Sequence, residues 1–261
     1  MQSRFLFLLC IIIASCSPDR SRLGPVVHAE KNILSSEQGP ADSGSTASIA
    51  LRYEYPQILS GTPVPLADSL RRMITLLVFS TLEAEGTDTI GFNGMAGELL
   101  AQYGELREEF SDYATPWELT RRMAILSDSG GVVSLQFDES SDLGGAHGME
   151  TSTLLSFEAE SGRLLHAEDL FLPGSGDVLA KVLEKEFRRV RQIADGVSLS
   201  DAGFWVEEGK FPVTPNFAVL PGELLFYYAP YEIGPYAVGP TEVRIPTRAI
   251  REILRPDGLA R

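Results

Sequence analysis

Leu51, Tyr53 and Tyr55 alternate with Arg52 and Glu54, the period of a half-buried strand, until Pro56 interrupts the run. The spacing then lengthens. Leu66, Leu70, Met73, Ile74, Leu77 and Leu82 recur at helical intervals, with Asp68, Arg71, Arg72 and Glu83 on the other side. A second stripe, Met95, Leu99, Tyr103, Leu106 and Phe110, predicts a helix over 94–110 capped by Asn93. At Trp117 the period shortens: Trp117, Leu119, Met123 and Ile125 alternate with polar residues, and Val133, Leu135 and Phe137 do so again beyond Ser129-Gly130-Gly131, which reads as a hairpin. A run over 149–157 leads through Glu160-Ser161-Gly162 into Arg163-Leu164-Leu165, a further hairpin. Val178, Leu179, Val182, Leu183, Phe187, Val190 and Ile193 mark a helix over 177–194. Strands over 217–220 and 224–228 flank Pro221-Gly222, and a strand over 241–245 precedes a short helix to Leu254. Strands and helices come in blocks and not in strict alternation, so the predicted fold class is α+β.

The start of the chain carries a different pattern. Arg4, an apolar run from Phe5 to Ile13, then Ala14, Ser15 and Cys16 read as an export signal too short to remain as a membrane-spanning helix. Ile13-Ala14-Ser15-Cys16 resembles the bacterial lipobox, whose cysteine is diacylated and becomes the new N-terminus; two acyl chains suffice for stable anchoring. Cys16 is thus the expected lipidation site. Ser17, and no Asp, follows it, which by resemblance to enterobacterial sorting points to an outer-membrane lipoprotein, on either face. Between Ser17 and Ile49 no period is sustained, and Gly39-Pro40 and Asp42-Ser43-Gly44-Ser45 are linker signals, although Pro25-Val26-Val27 has the makings of an early strand. The expected organisation is a lipoprotein signal peptide (1–16), a flexible tether (17–49), an N-terminal α+β domain (50–157) and a C-terminal α+β domain (158–261).

Charge and composition narrow the chemistry. The 261 residues hold 22 Lys and Arg against 36 Asp and Glu, a net charge of −14, which opposes nucleic-acid binding. Acids concentrate between Glu83 and Asp112 (Glu83, Glu85, Asp88, Glu98, Glu105, Glu108, Glu109 and Asp112 against Arg107 alone), a field that would draw a basic partner or simply keep a surface hydrated. Both cysteines, Cys10 and Cys16, lie in the leader, so the body has no thiol chemistry. No zinc-protease, phosphate-loop or nucleophile-elbow motif is present, and no pattern calls for a metal or cofactor.

Two segments remain as candidate sites. Gly144-Gly145-Ala146-His147-Gly148-Met149-Glu150 presents an imidazole on a glycine turn, with Glu150 as orienter or co-ligand; equally, the glycines permit a tight path and His147 bonds a carbonyl. Tyr227, Tyr228, Tyr231 and Tyr236, threaded by prolines and Glu232, suit a sugar or a protein contact, or else plug a core edge. His166 precedes the acids of a helix start, and Arg188, Arg189 and Arg191 read as an exposed helix face.

Gly144-Gly145-Ala146-His147, Glu168-Asp169-Leu170-Phe171, the segment from Tyr228 to Pro240 and Val243-Arg244-Ile245-Pro246 resemble the extracellular RsiV-like domain of unknown function. Tyr55-Pro56-Gln57-Ile58 and Pro116-Trp117-Glu118 are similar to the smaller domain that commonly precedes it. The resemblance implies two α+β units, a small two-layer sandwich followed by a larger sheet-and-helix domain, in an exported protein related to the lysozyme-sensing part of an anti-sigma factor. Taken with the two candidate segments, the expected function is a non-catalytic module that binds a lysozyme-like protein or a cell-wall glycan through Gly144, Gly145, His147, Glu150, Tyr228, Tyr231, Glu232 and Tyr236. The alternative is an envelope polysaccharide or peptidoglycan hydrolase working through carboxylates or His147.

Overall fold

The structure is a computed structural model and describes residues 24–38, 49–82, 89–206 and 209–256. It is α+β, with two sheets and two principal cores. The first sheet has five strands in sequence order: β1 (Ala29–Gln38), β2 (Ile49–Ile58), β3 (Trp117–Ser129), β4 (Val132–Asp142) and β5 (Met149–Glu158). Only the β2–β3 pair is parallel, because α1 (Val64–Val78) and α2 (Gly91–Glu109) intervene and return the chain to the same end.

The alternation read from the sequence sets which face is covered. Leu51, Tyr53, Leu119, Met123, Val133 and Leu135 point to the helices and pack on Leu66, Leu70, Met95 and Leu99. α1 is entered through Pro63 and Pro65, where missing N–H groups cost nothing, and α2 starts after Ile90, not at the expected Asn93 cap. Gly130 and Gly131, both at positive φ, close the β3–β4 hairpin as predicted.

Residues 29–38 overturn part of the tether reading. They form β1, paired antiparallel along their whole length with β2. The local period is weak because an edge strand with one shallow face needs few apolar residues; Leu34 alone from the middle of the strand reaches the core. On the opposite face Lys31, Glu54, Arg122, Asp138 and Ser152 join in a polar row across all five strands, from Lys31 Nζ to Glu54 at 2.6 Å to Ser152 Oγ donating to Asp138 at 2.6 Å. The Lys31 ammonium, followed by Arg122 and Arg52, holds the Glu54 carboxyl below the usual carboxylate range in spite of its desolvation.

The second unit contains α3 (Ala167–Leu170), α4 (Gly176–Val190) and a meander of β6 (Phe217–Leu220), β7 (Glu223–Tyr228) and β8 (Thr241–Pro246). The first unit carries the five-stranded sheet and the second the three-stranded one. The predicted C-terminal helix is a 3-10 turn at Thr247–Ala249 followed by irregular turns. Leu179, Leu183 and Phe187 of α4 meet Phe226, Tyr228, Val243 and Ile245.

The two units share buried contacts. β6 lies against β4 and β5, where Val219 N–H donates to Ser156 Oγ (2.9 Å) and Ser134 Oγ donates to Val219 O (2.6 Å); the two hydroxyls are 2.8 Å apart. The bare edge of β5 is met by Asn216: Leu154 N–H donates to its Oδ1 and its Nδ2 donates to Ser152 O, the pair of bonds a sixth strand would make.

Candidate functional site

The turn after β4 must reverse the chain beside α2. Tyr113 and Trp117, joined by the indole N–H donating to the Tyr113 hydroxyl at 2.9 Å, fill the space beneath it. A Cβ on Gly144, at φ +77°, would stand 1.7 Å from the Tyr113 hydroxyl oxygen and 2.8 Å from the Trp117 indole nitrogen, so only glycine fits. Tyr103 packs edge-on against both rings, completing the support. The turn is therefore rigid at Gly144, whereas Gly145 is exposed and meets little.

This support projects His147 toward the second unit. Its ring stacks on Tyr236 with centroids 3.8 Å apart and planes 14° from parallel. Gly148 O lies 2.9 Å from His147 Nδ1 and accepts the Tyr236 hydroxyl at 2.6 Å. A carbonyl can only accept, so Nδ1 carries a proton and Nε2 of the neutral ring is left as an acceptor. The Tyr231 hydroxyl is 3.4 Å from that Nε2, and the Tyr231 and Tyr236 rings are 5.7 Å apart at 34°. His147 and two tyrosines, Tyr231 and Tyr236, 84 and 89 positions further along the chain, thus form one aromatic cluster across the junction of the two units.

The loop bearing the tyrosines is also held from below. Arg191, at the end of α4, donates to Val238 O (3.0 Å), Gly239 O (3.0 Å), Pro240 O (2.8 Å) and the Thr241 hydroxyl, and lies over the Phe204 ring. It is a loop clamp and not part of an exposed helix face; of its neighbours only Arg189 is exposed, paired with Glu186, while the half-buried Arg188 pairs with Glu184 and donates to Val197 O at 2.8 Å. Glu232 accepts the Ala229 N–H at 2.8 Å and closes the turn before the cluster. Tyr231 adopts φ +67°, a conformation costly for a bulky residue, and is 48% exposed.

The remaining candidates separate from this cluster. Tyr228 is fully buried, donates to Pro212 O at 2.8 Å and has its pKa raised by burial, so it is core and not binding surface. Glu150 is exposed on β5 and makes no hydrogen bond or ion pair to His147 among the described residues. His166 begins α3, where its N–H donates to Asp169 Oδ2 at 2.8 Å. Cys16, Glu83, Glu85 and Asp88 lie outside the described residues.

Sequence reasoning missed Trp205. Its backbone N–H donates to Ile233 O at 2.9 Å, which ties it to the tyrosine loop, and it is 51% exposed while Phe204 beside it turns into the core. A tryptophan outside any periodic run was the available signal. Among the described residues no group of three or more His, Cys, Asp and Glu is placed to hold a metal ion. The arrangement can stack a flat apolar face and offer hydroxyl and imidazole edges at its margin.

Residues 168–248 match the model of a family described as a protein of unknown function, DUF3298. The matched stretch contains Tyr231 and Tyr236 but ends short of His147 on its N-terminal side. No curated protein matches the chain by sequence. A solved member of the DUF3298 family from Bacteroides fragilis NCTC 9343 superposes with a TM-score of 0.68 at 20% identity, covering 90% of this chain and 96% of that one. A DUF3298 family protein from Pseudomonas aeruginosa PAO1 gives a TM-score of 0.62 at 19% identity, covering 89% of this chain and 97% of its own. At that identity the likeness establishes the fold shared by both units.

Proposed function

We propose that this chain is a lipid-anchored protein of the bacterial envelope whose folded part binds, without catalysis, a lysozyme-like protein or a cell-wall glycan at the surface formed by His147, Tyr231 and Tyr236. One observation carries the reading. Tyr231 is held exposed in a left-handed backbone conformation, against an imidazole delivered by the other unit. Such strain costs about 1 kcal/mol or more and persists only where the surroundings enforce it, a condition met more often at ligand surfaces than elsewhere. Trp205 extends the same loop region with a second exposed aromatic.

The anchor rests on Ile13-Ala14-Ser15-Cys16, and the outer membrane on Ser17. No helix of the described residues is long and apolar enough to cross a membrane. The net charge of −14 favours encounter with a cationic protein, and the aromatic faces favour a sugar ring. Hydrolysis through His147 is disfavoured, because its Nδ1 is engaged by Gly148 O and not by an orienting carboxylate.

Calorimetry of the chain with lysozyme and with peptidoglycan oligosaccharides, at low and at high salt, tests this reading. Saturable binding of either, lost in Tyr231→Ala and His147→Ala while thermal stability is retained, is the expected result. Absence of binding to both, or equal binding by the variants, would overturn it.

A further inference from the structure

Among the described residues four strand edges terminate the two sheets, and three of them are protected. Asn216 and the Arg163–Leu165 segment occupy the edge of β5, with Glu158 N–H donating to Arg163 O and Leu165 N–H to Ser156 O. Ser134 and Ser156 engage the backbone of β6. β8 is short, carries Glu242 and Arg244 outward and ends in Pro246. β1 differs. It runs ten residues, contains no proline, keeps its register with β2 without a bulge, and among the described residues has β2 as its single neighbour.

We propose that the outer edge of β1 is a self-association surface, on which two copies of this chain join β1 to β1 in antiparallel fashion about a two-fold axis through Leu34. The pairing geometry narrows the choice of axis. Opposed residues of an antiparallel ladder must both turn their N–H and C=O toward, or both away from, the partner, so a two-fold axis passes through a residue and not between two. With the axis at Leu34, Lys31 of each copy faces Glu37 of the other, on the same sheet face. Lys31 is the only cation in the strand, and its side chain is 60% exposed even while paired with Glu54. Placing the axis at Ile33 or Ser35 sets Lys31 against Ser35 or leaves it beyond the ladder, so it meets no acid there. Leu34, which packs on the first core, would meet its own copy and continue that core across the axis. Ile33, 44% exposed on the other face, would lie diagonal to its own copy. The product is one ten-stranded sheet with no bare long edge, and the interface is isologous.

The test is disulfide trapping in the full-length chain, compared with the parent that carries Cys10 and Cys16 alone. Leu34→Cys should give an oxidant-dependent dimer, whereas Glu30→Cys, whose copies would lie far apart along the two strands, should not. Lys31→Glu and Glu37→Lys should each weaken association roughly tenfold, since each replaces two attractive pairs with two repulsive ones. The combined variant, with the charges exchanged, should recover. Should Leu34→Cys lose its cooperative melting transition, sedimentation of the detergent-solubilised wild type and charge variants decides the matter. A wild-type chain that stays monomeric, equal trapping at positions 30 and 34, or failure of the exchanged charges to restore association would each overturn the proposal.

Discussion

Arg121 and His147 are both polar side chains set among aromatic rings, and they differ in how completely their surroundings satisfy them. Arg121 is 1% exposed, in the middle of the first unit. Its guanidinium lies 2.7 Å from Glu139 and donates to Val78 O (3.2 Å) and Ser80 O (2.6 Å), the carbonyls left open where α1 ends. It also reaches the Tyr53 hydroxyl at 3.5 Å, and burial, partly offset by Arg121, raises that phenol to about 12. Its Nη2 reaches Thr81 O at 3.4 Å, so all three nitrogens have a partner. His147 is exposed, its Nδ1 engaged and its Nε2 met only at 3.4 Å by a tyrosine that is itself half in solvent. A buried charge with partners on every nitrogen fixes a helix end; the cluster around His147 is held from beneath and left open at its rim, and the proposed binding surface rests on that openness.

The contrast can be broken most severely at its interior end. Arg121→Ala leaves Glu139 and two helix-end carbonyls without their partner, and should cost about 3–5 kcal/mol in denaturant unfolding. Ligand affinity per folded molecule should not change. Asn216→Ala uncovers Ser152 O and Leu154 N–H on the β5 edge and should cost about 1–3 kcal/mol, read as faster amide exchange at Leu154 before other β5 positions. Tyr228→Phe removes one buried bond to Pro212 O and should lower stability by about 1 kcal/mol, with binding intact.

A smaller effect is expected at Asp169, where burial opposes the charge but the His166 N–H and Arg163 outweigh it, so its pKa is lowered. A depressed carboxyl contributes stability that is complete above its unfolded value of about 3.9 and disappears as pH falls through the folded value. Asp169→Asn should therefore cost about 1 kcal/mol or less at neutral pH, a difference that vanishes in strong acid; thermal melts across that range check it. The smallest change in stability, and the one that sharpens the comparison most, is Tyr231→Gly. Relief of the left-handed backbone should offset the lost ring contacts to within about 1 kcal/mol, while ligand binding falls at least tenfold, by calorimetry.

Where alternation or helical spacing was strong, the element was legible: β2, α1, the β3–β4 hairpin and α4 all follow from the side chains that line the cores. β1 was not legible, because a strand at an edge takes its stability from pairing with β2 and needs little apolar content of its own. The Arg188-Arg189-Arg191 run looked uniform, yet Arg191 alone falls past the end of α4 within reach of the loop at Val238 to Thr241. Similarly, Tyr228 and Tyr231 read alike in a list of tyrosines. The last residue of β7 points into a core, and the first residues beyond it do not.

The sequence by itself determined the α+β class, the thiol-free body, the acidic balance and the two segments in which site chemistry is possible. Local spacing is enough for these, because burial period, turn glycines and residue chemistry act within a few positions. Only the tertiary structure decided that His147 stacks on Tyr236, that Tyr231 joins them and Tyr228 does not, and that Trp205 belongs to the same loop region. Those relations depend on how β4–β5 and the β6–β8 meander pack against each other through Ser134, Ser156 and Asn216, contacts between positions 62 to 85 residues apart that no local period encodes.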